Sequence, residues 1–222
     1  MIEPMSVEYM KHMGDDNWIA DVARVSFGKE SKDFSKERND RLIRFLAKHN
    51  HWSPFSHCIV SFRMTAPIFV ARQLAKHQVG LSWNEISRRY VDYEPTYYCP
   101  STWRNRPAEN IKQGSGKDSR YQEVTQDMFN ELVDLSDMIY NRMINLDIAP
   151  EQARMVLPQN MMTKWIWTGS LYAWSRIWKL RVHPTAQIET RMLIEQIGPH
   201  METLFPIAWK ELLNDNEPNQ RD

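Results

Sequence analysis

Glycine is scarce in this 222-residue chain: there are 7, scattered, with no G-x-G-x-x-G and no G-x-x-x-x-G-K-[ST]. The two commonest glycine-built phosphate cradles are therefore excluded. A bound nucleotide would have to be held by side chains and helix ends. Cysteine is scarcer still. Cys58 and Cys99 are the only 2, and they make neither a disulfide framework nor a C-x-x-C metal site. Reduced thiols are expected. Net charge is absent too, with 28 Lys plus Arg against 28 Asp plus Glu. That balance argues against a general nucleic-acid or membrane-surface binder, which needs a basic excess. No apolar run approaches membrane-spanning length. The first residues, Met-Ile-Glu-Pro, lack the basic region and apolar stretch of a signal peptide. The expectation is a soluble, cytoplasmic protein with no membrane partner.

What is abundant is aromatic and thioether surface: 9 Trp, 8 Tyr, 8 Phe and 13 Met. The length is ample for a real core, and no repeat or linker is visible, so residues 1–222 are read as one domain. Asp15, Asp16 and Asn17 are candidate N-caps for a helix around Trp18–Val25. Ser35 is a candidate cap for a second helix, to about His49, with Leu42, Ile43, Phe45 and Leu46 inward. Cys58, Val60, Phe62 and Met64 alternate with Ile59, Ser61, Arg63 and Thr65, the pattern of a strand. Pro67 suits the first turn of a helix to about His77. Residues 78–84 read as a loop, and 85–91 as extended. Pro107, Gly114, Ser115 and Gly116 mark 105–120 as a mobile excursion.

From Asp118 to about Asp147, Tyr121, Val124, Met128, Leu132, Leu135, Ile139, Met143 and Leu146 recur at steps of three and four, giving a long amphipathic helix. Pro150 opens a short helix that closes before Pro158. Further helices are expected at 170–181 and 185–213, the latter interrupted near Gly198-Pro199. The fold class is α+β, with helices dominant.

Polar chemistry concentrates in residues 72–90, R-Q-L-A-K-H-Q-V-G-L-S-W-N-E-I-S-R-R-Y. Arg72, Lys76, Arg88 and Arg89 are cations, Gln73, Asn84 and Ser87 neutral hydrogen-bonding groups, and Glu85 an acceptor. Arg72 and Lys76, four apart, would share a helical face. A solvated basic face has little use for Trp83 and Tyr90 among its charges. Planar Arg forks beside aromatics suit a phosphorylated heterocycle.

This stretch resembles the signature of the flavin-dependent thymidylate synthases, R-H-R, a spacer, then S-x-N-E-x-S-x-R-Y. Ser82, Asn84, Glu85, Ser87, Arg89 and Tyr90 fit its second half. A-R-V-S-F (23–27), H-W-S-P-F-S-H (51–57), A-P-I-F-V-A-R-Q (66–73), A-R-M-V-L-P (153–158) and K-L-R-V-H-P-T-A-Q-I-E (179–189) resemble the family's other blocks, in order. The chain departs from the pattern at Lys76-His77-Gln78, where the family has R-H-R, and the spacer V-G-L is one residue longer. Lys keeps the charge of Arg but loses its bidentate fork.

The resemblance implies an antiparallel or mixed sheet packed by several helices. It implies an enzyme, a methyltransferase that converts dUMP to dTMP with FAD, with 5,10-methylenetetrahydrofolate as one-carbon donor and NADPH as reductant. It implies a homotetramer with active sites at subunit junctions. By the same resemblance Gln73, Lys76, Glu85, Ile86, Ser87, Arg88, Arg89 and Arg154 would contact dUMP. Arg181 would lie against the uracil and favour ionisation at N3. Ser53, Lys76, His77, Gln78, Glu85, Ser170, Tyr172 and Arg176 would face FAD. The chemistry gives Arg181 its reason: a fixed cation stabilises negative charge on the N3–C4 side without changing its own protonation state.

Two alternatives stand beside this reading. One keeps the fold but transfers hydroxymethyl or takes another pyrimidine nucleotide. The other is a noncatalytic nucleotide- or nucleic-acid-binding module, which the zero net charge disfavours. His49, His51 and His57 lack zinc spacing and a Cys pair, so no metal is expected. Trp165, Trp167, Trp174 and Trp178 read as core or subunit packing. The Y-E-P-T-Y-Y-C-P stretch with Trp103, Arg104 and Arg106 offers base-stacking surfaces, but no nucleic acid is expected.

Overall fold

The computed structural model describes residues 1–109 and 114–214. Its centre is an antiparallel sheet of four strands, β1 (Ser6–Met13), β2 (Ile59–Pro67), β3 (Leu81–Glu85) and β4 (Met162–Ser170), in the spatial order β1-β2-β4-β3. The helices are α1 (Asp16–Arg24), α2 (Lys36–Lys48), α3 (Ile68–Leu74), α4 (Gln122–Asn145), α5 (Pro150–Ala153), α6 (Leu171–Arg181), α7 (Ile188–Glu195), α8 (Gly198–Leu204) and α9 (Ala208–Leu213). The expected α+β class is therefore what the chain adopts.

The alternation along β2 does what its period dictates. Cys58, Val60, Phe62 and Met64 are fully buried, and Phe62 lies opposite Trp167 on β4. Trp165, Trp167 and Trp174 fill the same core, and Trp174 donates from its indole N–H to the Val60 carbonyl at 3.2 Å. The tryptophan cluster is thus core, as its composition suggested. Burial pushes the Cys58 thiol up to about 12, with Asp15 and Asp16 adding to the shift. It is a packing residue and not a nucleophile.

Four sequence expectations are corrected. Residues 78–84 are not all loop, because Leu81–Glu85 form the edge strand β3. Trp83 supplies the reason: it lies opposite Trp167 and stacks on Trp165 with centroids 4.3 Å apart. Extension ends at Glu85 instead of continuing through 91, since Tyr90 N–H bonds back to the Ser87 carbonyl at 3.0 Å in a turn. Helix α3 stops at Leu74, so Lys76 lies beyond it and shares no helical face with Arg72. Phe45 is exposed while Ile43 and Leu46 are buried. Its ring meets those of His49 (4.4 Å) and His51 (5.9 Å), which accounts for two of the turn histidines.

The orientation of α4 was not legible in its pattern. The helix is long, as its periodicity predicts, but its apolar stripe faces outward. Tyr121, Val124, Met128, Leu132, Leu135, Ile139 and Leu146 are exposed, and the face turned inward carries Val133, Ser136 and Tyr140. Of the 105–120 excursion, residues 110–113 lie outside the described residues. Its flanks are tied by Asn105 N–H to the Lys117 carbonyl and Gly116 N–H to the Asn105 carbonyl, at 2.9 and 2.8 Å. Among the described residues no helix is long and apolar enough to cross a membrane.

Candidate active site

The sheet edge and the helices behind it place Gln73, Glu85, Ile86, Arg88, Arg154, Ser170, Tyr172, Arg176 and Arg181 in the walls of three cavities, and Ser53, Lys76, His77, Gln78, Ser87 and Arg89 outside those walls. The first, about 220 Å³, is lined by Glu85, Ile86, Arg88 and Arg154, together with Glu3, Thr163 and Lys164. Glu85 ends β3 with both carboxylate oxygens engaged. Thr163 Oγ1 donates to one at 2.6 Å and the Trp83 indole N–H to the other at 3.1 Å. Ile86 N–H bonds the Lys164 carbonyl at 2.9 Å, pinning the start of the following turn. In that turn Ser87 Oγ accepts from Arg89, whose guanidinium also donates to the Tyr90 hydroxyl at 2.9 Å. Arg154 is exposed and donates to the Glu151 carbonyl at 3.3 Å.

Arg88 behaves differently from its neighbour Arg89. It is only 8% exposed. Its guanidinium donates to the Tyr93 carbonyl and sits 4.6 Å from the Tyr93 ring and 6.0 Å from that of Tyr140. Cation–π contact and burial make it an anchor of the turn. Arg89 is exposed, and so is the more accessible cation for an anionic ligand.

The second cavity, about 460 Å³, brings Gln73 and Arg181 together. Arg181 ends α6 and donates from Nε to His77 Nε2 at 2.8 Å. His77 must therefore be neutral, with its proton on Nδ1. Burial, then Arg181 and Arg176, hold its pKa below the ordinary value. Burial also lowers the Arg181 pKa, but a guanidinium stays charged. Two residues of this cavity, Arg104 and Glu189, are given no part in the dUMP or FAD site by the sequence, where Arg104 stands among base-stacking candidates and Glu189 closes the 179–189 block. They form a largely buried ion pair. Glu189 also accepts from Gln187 at 3.1 Å, and Arg104 donates to Ser115 at 2.7 Å. They come from segments 85 positions apart with no shared spacing, so only the fold could show that they pair.

The third cavity, about 510 Å³, is walled by Trp52, Ile59, Val79, Gly80, Ser170, Tyr172 and Arg176. Ser170 caps α6, accepting from Ala173 N–H at 3.2 Å. Tyr172 donates to Asn50 at 3.1 Å and lies 6.1 Å from Trp52. Gly80 has φ +77°, and a Cβ there would come within 3.2 Å of Ser170 Oγ and Ala173 Cβ. Lys76, Gln78 and Ser53 are exposed nearby in sequence, Ser53 opening the short 3-10 turn that carries Phe55 into the core. The structure thus splits the expected dUMP residues: Glu85, Ile86, Arg88 and Arg154 in one cavity, Gln73 and Arg181 in another.

The comparisons with known proteins agree with the motif. The family model described as Thymidylate synthase complementing protein matches residues 8–207. A flavin-dependent thymidylate synthase of Thermus thermophilus is 34% identical over 91% of this chain and 73% of its own length. One from Kosmotoga olearia is 32% identical over 96% of this chain and 92% of its own. Among solved structures, a UMP/dUMP methylase from Streptomyces cacaoi bound with 5-Br dUMP superposes with a TM-score of 0.85 at 26% identity, covering 95% of each chain. The chain belongs to the flavin-dependent thymidylate synthase family, and is by that membership a methyltransferase enzyme.

Proposed function

We propose that this enzyme methylates C5 of dUMP to give dTMP, using FAD, 5,10-methylenetetrahydrofolate and NADPH. The observation that carries the reading is Arg181: a half-buried guanidinium held by a neutral imidazole, facing a cavity it shares with Gln73. Against a bound uracil, it would stabilise negative charge on the N3–C4 side as the ring is activated. Gln73, Lys76, Ser87, Arg89 and Arg154 are the candidate polar contacts of the nucleotide, and Arg88 with Ile86 shapes the turn that offers them.

The third cavity fits a flavin nucleotide. It offers the flat rings of Trp52 and Tyr172, the N-terminus of the 11-residue α6 and a close backbone approach at Gly80. Arg176 is exposed there, with no hydrogen bond or ion pair among the described residues. Ser170, Tyr172 and Arg176 in its wall would hold FAD, and Ser53, Lys76, His77, Gln78 and Glu85 outside that wall are the further candidate FAD contacts. Bound there, it would supply the redox equivalents that side chains cannot.

The shared site of a homotetramer is part of this proposal. It is supported by the split of the dUMP residues between two cavities and by the bare apolar face of α4. A second reading concerns the sugar. The Streptomyces methylase also superposes in a complex with 5-Br UMP, at a TM-score of 0.83, so UMP belongs in the assay.

The test is product mass after turnover with FAD, NADPH, methylenetetrahydrofolate and either nucleotide. Yellow holoprotein converting dUMP to dTMP is expected, with turnover abolished in Arg181→Ala. A hydroxymethyl product, or protein that stays colourless in excess FAD, would sink the reading.

A further inference from the structure

A carboxylate stands in the wall of the cavity that Gln73 and Arg181 share, where the proposed nucleotide is itself an anion. It belongs to Glu189, in the first turn of α7, whose side chain is only 6% exposed. Left unpaired, a buried carboxylate would repel a phosphorylated uracil with little water to damp the effect. Arg104 pairs with it. A guanidinium only donates and a carboxylate only accepts, so the sense of this contact is fixed by charge. Gln187 donates to the other carboxylate oxygen at 3.1 Å.

Arg104 sits at the root of the 105–120 excursion, bridged to Asp118 across its base. Its Nε donates to Ser115 Oγ at 2.7 Å. One side chain thus ties both arms of the excursion to α7, and Gly114 and Ser115 of that excursion wall the cavity with Gln73 and Arg181. Among the described residues no other hydrogen bond joins residues 104–118 to residues 181–190. Behind the pair lies a fourth cavity, about 460 Å³, faced by the uncharged rings of Phe69, Tyr98, Trp103 and Phe129. The Tyr98 hydroxyl registers the pair: burial first, then the charge of Glu189, raise its pKa, and Arg104 pulls it back.

We propose that Arg104 is a positioning residue for the nucleotide, which cancels the charge of Glu189 and through that bond holds the excursion as a wall of the cavity of Gln73 and Arg181. The inference rests on the proposed binding of dUMP in that cavity. Without Arg104 the wall carries an extra negative charge, and without Glu189 an extra positive one. The two losses therefore act on an anionic ligand in opposite directions.

Titration calorimetry of the FAD-loaded enzyme with dUMP tests this. Arg104→Gln should weaken binding by about tenfold, and Glu189→Gln should tighten it by about threefold, the scale of one uncompensated charge in a partly buried site. Arg104→Lys keeps the charge without the fork that reaches Ser115, and should fall between Arg104→Gln and wild type. The double variant Arg104→Gln with Glu189→Gln is a neutral pair that can still hydrogen-bond. It should return to within about threefold of wild type, and it keeps the inference testable if a single variant folds poorly. Lost packing would weaken binding in both single variants. That result, wild-type affinity in Arg104→Gln, or a double variant no better than Arg104→Gln overturns the role of Arg104 while dUMP binding stands. Wild-type protein that binds no dUMP overturns this inference together with the functional reading beneath it.

Discussion

His77 and Arg181 form the most informative pair at the scale of single residues. An imidazole nitrogen that accepts from a guanidinium cannot itself be protonated, and burial first, then the charges of Arg181 and Arg176, hold the His77 pKa below the ordinary 6.5. The folded protein therefore binds this proton less readily than the unfolded chain. The bond is fully formed above the ordinary value, and its contribution is lost as pH falls from there toward the lower folded value. Protonation also places a third cation beside Arg181 and Arg176. We expect wild-type turnover, and the thermal midpoint with it, to fall on the acid side of pH 6.5. His77→Gln keeps an acceptor that does not titrate, so its acid limb should be flatter. Equal acid limbs in the two proteins would refute the pairing. The sequence marked both residues through the motif but could not show that they touch, since 104 positions separate them.

At the scale of elements, the sequence was most legible where one face is buried and the period is unambiguous. Strand β2 and helices α1 and α6 fall close to where their patterns placed them. Strand β3 was hidden because its residues carry site chemistry, and polar Ser82, Asn84 and Glu85 blur the alternation. The edge strand β1 and the Trp-rich β4 carried no turn signals strong enough to separate them from loop. Long-range caps were equally illegible. Asp16 on α1 accepts from Ile207 and Ala208 N–H at 2.9 and 3.1 Å, closing the start of α9 from 191 residues away. Asp16→Ala leaves those donors without their acceptor in a part-buried place. A loss of about 1–3 kcal/mol in urea-induced unfolding is expected, and a change near zero would mean that water replaces the carboxylate.

The whole molecule poses the question that a single chain leaves open, how one site can draw on two cavities. Gln73 and Arg181 belong to one cavity, Glu85 and Arg154 to the other. The stripe of Val124, Met128, Leu132, Leu135 and Ile139 on α4 remains exposed. Contiguous apolar faces of that kind mark surfaces meant to be covered, and a second copy of the chain would at once cover such a face and bring a Glu85 set to an Arg181 set. Arg181→Ala and Glu85→Ala should each be inactive alone. If each site takes its two sets from different subunits, subunits mixed at equal ratio and reassembled will carry some sites built from the two intact halves. Random assembly makes that fraction roughly one in four, so activity should recover to about a quarter of wild type. Met128→Glu with Leu132→Glu should lower the mass seen by sedimentation and abolish turnover together. A mixture that stays dead while each variant still assembles would place the whole site within one chain, and the α4 face would then need another explanation.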